Sequence, residues 1–81
     1  MFERGKRYLF MTLAFYYEAV VEESDSVFVK FKKGTVKHIN NTGAMRDCLP
    51  EGKWNDAEPI PCVGGIGLGH IVCWFELSEK S

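Results

Sequence analysis

The stretch Cys62-Val63-Gly64-Gly65-Ile66-Gly67-Leu68-Gly69-His70-Ile71-Val72-Cys73-Trp74 holds the residue types closest to chemistry in this chain. Four glycines fall within six positions, with a cysteine at each end. A dinucleotide-binding fingerprint needs GxGxxG directly after a strand and opening a long helix, with an acid about 20 residues on. Here His70 stands where the third fingerprint glycine belongs, and the eleven residues after it alternate like a strand. A P-loop needs a following Lys-Ser or Lys-Thr, and none follows. The glycines therefore read as a bulged turn in a hairpin, or as a place where another backbone comes close.

His70 and Cys73 have HxxC spacing, but zinc sites usually bring a second short pair. In a regular strand these two residues point to opposite faces, so one ion cannot take both. Cys62 and Cys73 flank the same hairpin and form a disulfide only if their Cα atoms come within about 7 Å. Three cysteines without a CxxC pair fit a reducing compartment, where Cys48, Cys62 and Cys73 read as small buried hydrophobes. Glu18, Glu22, Glu23 and Asp25 crowd one hairpin end, which reads as solvated charge rather than as an acid–base pair in a pocket. No GxSxG and no catalytic cysteine signature occurs. The residues thus point to no enzyme, no metal and no cofactor.

The remaining asymmetry is basic. Lys30, Lys32, Lys33, Lys37, His38 and Arg46 fall in seventeen residues that hold no acid. Lys30 and Lys32 share a strand face with Phe28. Positive groups interleaved with aromatics suit a phosphate-bearing ligand or RNA. The alternative is a solvated strand edge, where lysines block edge-to-edge aggregation. On the ligand reading, Lys30, Lys32, Lys37, His38 and Arg46 hold phosphates, and Trp54 or Tyr16 stacks on a base. Trp54 and Trp74 also suit the core, provided each indole N–H finds an acceptor.

The elements that must position these groups follow from periodicity. From Tyr8 the chain reads as a strand, and Thr12 to Glu22 alternates as a half-buried strand does, with Leu13, Phe15, Tyr17, Ala19 and Val21 on the apolar side. Ser24-Asp25-Ser26 is turn chemistry. Val27, Val29 and Phe31 then alternate with Phe28, Lys30 and Lys32, so residues 8–33 read as one long antiparallel hairpin. Lys33-Gly34 turns the chain into a short third strand over 35–39. Asn41 or Thr42 caps a helical turn over 44–49, which Pro50 and Gly52 stop. Residues 53–61 read as an irregular loop carrying Trp54. Residues 62–66 and 69–77 are the closing strands, with Ile71, Cys73, Phe75 and Leu77 facing the core. The ends, 1–6 and 78–81, read as loose. Five strands and one helical turn in 81 residues predict a single, mostly β domain, a small barrel of the SH3 or Sm type.

The totals agree with a small folded domain. Hydrophobic residues make up 46% and aromatics 14% of the chain, too apolar for disorder. A formal net charge of −1 gives no global field toward nucleic acid or membrane. Even the run Leu13 to Tyr17, which no apolar run exceeds, is far short of the roughly 20 residues that span a bilayer. No small-residue cleavage site follows the basic start, so residues 1–7 do not read as a signal peptide.

The segments "NTGAMRDCL" at 41–49, "NDAEPIP" at 55–61 and "VGGIGLGHIV" at 63–72 resemble a family of short, uncharacterised proteins of tailed phages and prophages. The resemblance covers roughly residues 7–74. The sequence departs from it at Asn41, where the family usually has Asp, and at "TVKHI", where the family tends to be apolar with a Trp. The resemblance implies a small phage protein acting in the host bacterial cytoplasm by binding. One implied function is sequestration of a nucleotide-derived defence signal, such as a cyclic nucleotide or an ADP-ribose derivative, by a homo-oligomer. The rival functions are a module that contacts a host or virion protein, presenting Phe2, Phe10, Tyr16, Trp54 and Trp74, and an Sm-like RNA binder.

Overall fold

A computed structural model describes residues 2–79. The chain is mostly β, with seven antiparallel strands rather than five. β1 (Arg7–Met11) pairs with β2 (Tyr16–Ser24), and β3 (Phe28–Phe31) follows. β4 (Lys37–Asn41), α1 (Met45–Cys48), β5 (Asp56–Pro59) and β6 (Gly64–Gly67) come next. A 3-10 turn (Leu68–His70) then leads to β7 (Cys73–Glu76).

The strand order is β5-β4-β2-β1-β7, and β3 branches from β2 to carry β6. The branch follows from one long strand. Residues 16–18 of β2 pair with β4, while 21–24 pair with β3. The register shifts between Val21 and Glu23, a bulge that bends β2 from one layer into the other. Among the described residues β6 pairs only with β3 and β7 only with β1, so the sheet is not closed.

The expected single strand over 8–22 is broken at Thr12. Its hydroxyl donates to the Phe15 carbonyl and accepts from the Phe15 amide, both at 2.8 Å. Its backbone N–H also donates to that carbonyl, at 2.9 Å. A hydroxyl that satisfies the local backbone competes with the ladder and turns the chain. The residues that continued the alternation, Leu13 and Phe15, are thereby put into solvent, 93% and 53% exposed.

Apolar residues lie on both sides of β1. Tyr8 and Phe10 join Ala19, Val21, Val29, Phe31 and Val36 in the main core. Leu9 joins Ile39 and Leu77 beneath Met45, Leu49 and Trp54. A strand buried on both faces reads as a continuous apolar run, which is why Tyr8 to Met11 shows no polar alternation.

Several other expectations change. Residues 53–61 contain β5, paired with β4. Residues 2–6 are tied down: Phe2 packs edge-on against Tyr8, Phe10 and Trp74 at about 5 Å, and Gly5 N–H donates to Val21 O at 2.9 Å. Ser78 N–H donates to Pro50 O; residues 1, 80 and 81 lie outside the described residues. α1 starts after Ala44 with no side-chain cap, although the Asn41 carboxamide oxygen accepts from Gly43 N–H at 2.9 Å. Of the apolar set on β7 and its flanks, only Leu77 is buried. β7 is an edge strand with cover from β1 alone, so Cys73 is exposed and Phe75 is partly so. Cys48 is buried and Cys62 is exposed, and all three cysteines are free.

The Ser24–Ser26 turn forms as expected. The Asp25 carboxylate accepts from Val27 and Phe28 N–H at 2.7 and 2.9 Å. These two amides, that of Phe28 foremost, hold its pKa below the ordinary 3.8. A carboxyl depressed in the folded state adds stability above its unfolded pKa and loses it as pH falls through the folded value. Asp25→Ala is therefore expected to lower the melting temperature at neutral pH, with the difference from wild type shrinking below pH 3.8. A difference that stays constant down to strong acid contradicts this.

Candidate functional site

Because the sheet does not close, the main core opens to solvent at one end. A cleft of about 470 Å³ lies there, within the usual range for binding pockets. Its floor is core: Phe31 and Val36 are 4% and 5% exposed, with Ile60 partly buried beside them. One wall is the Thr12–Phe15 turn and the other is 62–66, with Val72 at the rim. Leu13, Phe15, Val63 and Val72 each expose more than half of their surface. Polar groups are few: the Thr12 hydroxyl, the Tyr17 phenol, the Cys62 thiol, the His70 ring and the backbone of the glycines. Such a lining suits aliphatic or aromatic groups, with backbone donors and acceptors at one side.

A second hollow of about 370 Å³ lies against the same turn and is lined by Ala14, Phe15, Tyr16, His38 and Asn40 among others. It brings together two of the expected site residues, Tyr16 and His38. The His38 ring lies 5.5 Å from Phe15 and 5.6 Å from Tyr17, and its Nδ1 is 3.4 Å from Glu58 Oε1.

The other expected site residues do not converge. Successive residues on β4 face opposite sides of the sheet, so Lys37 and His38 diverge. Lys30 is exposed on β3, opposite Glu23 on one side and Gly65 on the other. Lys32 is exposed just beyond β3. Arg46 sits on α1, 90% exposed, with Nε 3.8 Å from its neighbour Asp47. Seventeen residues without an acid are spread by the fold over two layers and a helix, and acids from elsewhere stand beside several of them.

Trp54 is committed to the protein itself. Its indole N–H donates to Glu18 Oε1 at 2.7 Å. Glu18, 1% exposed, also pairs with Arg7, whose Nη1 lies 2.9 Å from Oε2. Arg7 Nη2 donates to Glu51 O at 2.9 Å and to Ser78 O. The glycine backbone at 52 (φ +84°) makes room for this network: a Cβ there would lie 2.9 Å from Arg7 Nη1 and 3.3 Å from Trp54 Cζ2. Arg7, Glu18 and Trp54 are a buried structural network that links β1, β2 and the segment after α1. The partner-facing aromatic set expected from the sequence is likewise divided. Phe10 is fully buried and Phe2 partly so, while Tyr16 and Trp74 remain 37% and 52% exposed.

The part of the cleft that the sequence left out is the Thr12–Phe15 wall. Its signal was Leu13-Ala14-Phe15 next to Thr12, a hydroxyl residue able to turn the chain in an otherwise apolar run. Among the described residues no group of three or more His, Cys, Asp or Glu could hold a metal ion. Among them, too, no helix is long and apolar enough to cross a membrane. Comparison with protein-family models, with curated proteins and with solved structures finds no match.

Proposed function

We infer that this protein is a binding module that holds an apolar segment of another protein in the cleft between the Thr12–Phe15 turn and 62–66. One observation carries the reading. Leu13, Phe15, Val63 and Val72 each expose more than half of their surface around one apolar cavity, the kind of exposed apolar patch that marks an interaction site. The phage setting implied by the sequence resemblance makes a host or virion protein the natural partner, met in the bacterial cytoplasm. A sequestered nucleotide signal has less support, because its expected phosphate ligands Lys30, Lys32, Lys37, His38 and Arg46 do not meet. The bent β2 is the feature an SH3-like barrel would share, and an added partner strand would extend the sheet toward closure.

The test compares wild type with Leu13→Asp/Val63→Asp in pull-downs at low and high salt. Both side chains are exposed, so the variant is expected to stay within about 0.5 kcal/mol of wild-type stability. The partner should resist high salt on wild type and be lost on the variant. Retention on the variant overturns the reading. A melt panel with cyclic dinucleotides and ADP-ribose is expected to be flat. A ligand at a hundred times its Kd would add about 2.7 kcal/mol, and such a shift would restore the phosphate reading.

A further inference from the structure

β6 has a free edge that borders the cleft. Among the described residues it pairs with β3 alone. Leu68 N–H donates to Val27 O at 2.9 Å, and Ile66 and Gly64 stand opposite Val29 and Phe31. Antiparallel alternation turns the amides and carbonyls of Ile66 and Gly64 toward β3, and those of Gly65 and Gly67 outward. The other edges are guarded differently. β5 carries Asp56, Glu58 and Pro59, and β7 carries Trp74 and Glu76. β6 reads Gly-Gly-Ile-Gly and has neither charge nor proline.

The fold explains only some of these glycines. A Cβ on Gly65 would meet Val29 O at 2.5 Å, and one on Gly67 the His70 ring at 3.2 Å. Gly64 and Gly69 have no positive φ, and a Cβ on either would meet nothing within 4 Å. Both line the cleft. Bare backbone beside an open cavity lets another backbone come close.

We propose that the partner segment joins β6 as an added strand, with apolar and acidic residues alternating along it. This rests on the cleft reading above and names its mode. Residues opposite Gly64 and Ile66 share the face of Val29 and Phe31, so their side chains enter the cleft. Residues opposite Gly65 share the face of Lys30. With no side chain at Gly65 between them, Lys30 has only about 9–10 Å, two strand spacings, to span. Lys30 and Lys32 are exposed; Glu23 stands opposite Lys30 on β2, but among the described residues neither lysine has a carboxylate within 4.0 Å. This positive flank selects an acidic partner. It disfavours a second copy, which would bring the two Lys30 side chains toward each other across paired β6 edges.

The probes are a blocked octapeptide alternating valine and glutamate, its lysine-for-glutamate counterpart, and a version N-methylated at alternate backbone nitrogens. Each is titrated into the ¹⁵N-labelled full chain. The first peptide is expected to shift the Gly65 and Gly67 amides and slow their exchange. Losing two backbone hydrogen bonds should weaken binding about tenfold, and the lysine peptide should bind more weakly at low salt. Gly69→Val should keep the wild-type melting temperature and lose the peptide. Loss on N-methylation reports the edge, and loss on Leu13→Asp reports the cleft. Equal binding of the N-methylated peptide overturns strand addition and leaves the cleft reading standing. No binding at about millimolar peptide overturns the proposal. So does a dimer of the free protein with slow Gly65 and Gly67 exchange, which would make a second copy the occupant.

Discussion

Replacing Glu18 with alanine is expected to destabilise the protein by about 3–5 kcal/mol. The carboxylate is 1% exposed and satisfies two buried donors, Arg7 Nη1 at 2.9 Å and Trp54 Nε1 at 2.7 Å. Without it a guanidinium that is 7% exposed keeps only backbone carbonyls as partners. Its Nε already lacks a hydrogen-bond partner, so the network has no spare acceptor. Small domains hold only about 5 kcal/mol or a little more, so the variant should retain about 0–2 kcal/mol and unfold at very low urea. Replacing both ends, Arg7→Met with Glu18→Leu, should recover most of the loss, because no buried charge is left unpaired. A single variant within about 1 kcal/mol of wild type would mean that water reaches Arg7 and that the pair is not buried in solution.

The second large effect separates two adjacent glycines. Gly65→Ala puts a Cβ 2.5 Å from the Val29 carbonyl oxygen, a backbone atom that cannot rotate away. Relief requires β6 to move off β3, at a cost of about 1–3 kcal/mol. It should also disturb the cleft wall that β6 forms. Gly64→Ala meets open space at an ordinary φ and should be neutral or stabilising by about 0.4–1 kcal/mol. Denaturant midpoints of the two variants check the register directly. Equal effects would show that β6 does not face β3 as described.

The mostly β class was legible because Val27, Val29 and Phe31 alternate with Phe28, Lys30 and Lys32. The turns at Asp25 and Gly34 carry their own chemistry, a short acceptor side chain and a positive φ of 87°. The split at Thr12 was not legible from periodicity, since alternation continues through Leu13 and Phe15. Only the hydroxyl's local bonds decide it. The lining of the cleft was hidden for the same reason: exposed Leu13 and Phe15 look like core residues until the turn is known. The basic strip failed as a cluster for a different reason. Charge counted along the chain ignores the acids that tertiary pairing brings alongside, such as Glu58 at His38. Trp54 read equally as core or site. Glu18, which settles it, lies 36 residues away. Of the two readings of the glycines, close backbone approach holds at Gly65, which meets Val29. The other, a hairpin turn, does not hold, because β6 and β7 do not pair.

β6 presents an open edge beside an apolar cleft. Residue-by-residue amide hydrogen exchange on the free protein tests this most directly. Ile66 and Leu68, which face β3, are expected to exchange more slowly than Gly65 and Gly67, which face outward. Equal protection at all four, or slower exchange at Gly65 and Gly67, would mean that the edge is already paired, and the site described here would not exist in solution.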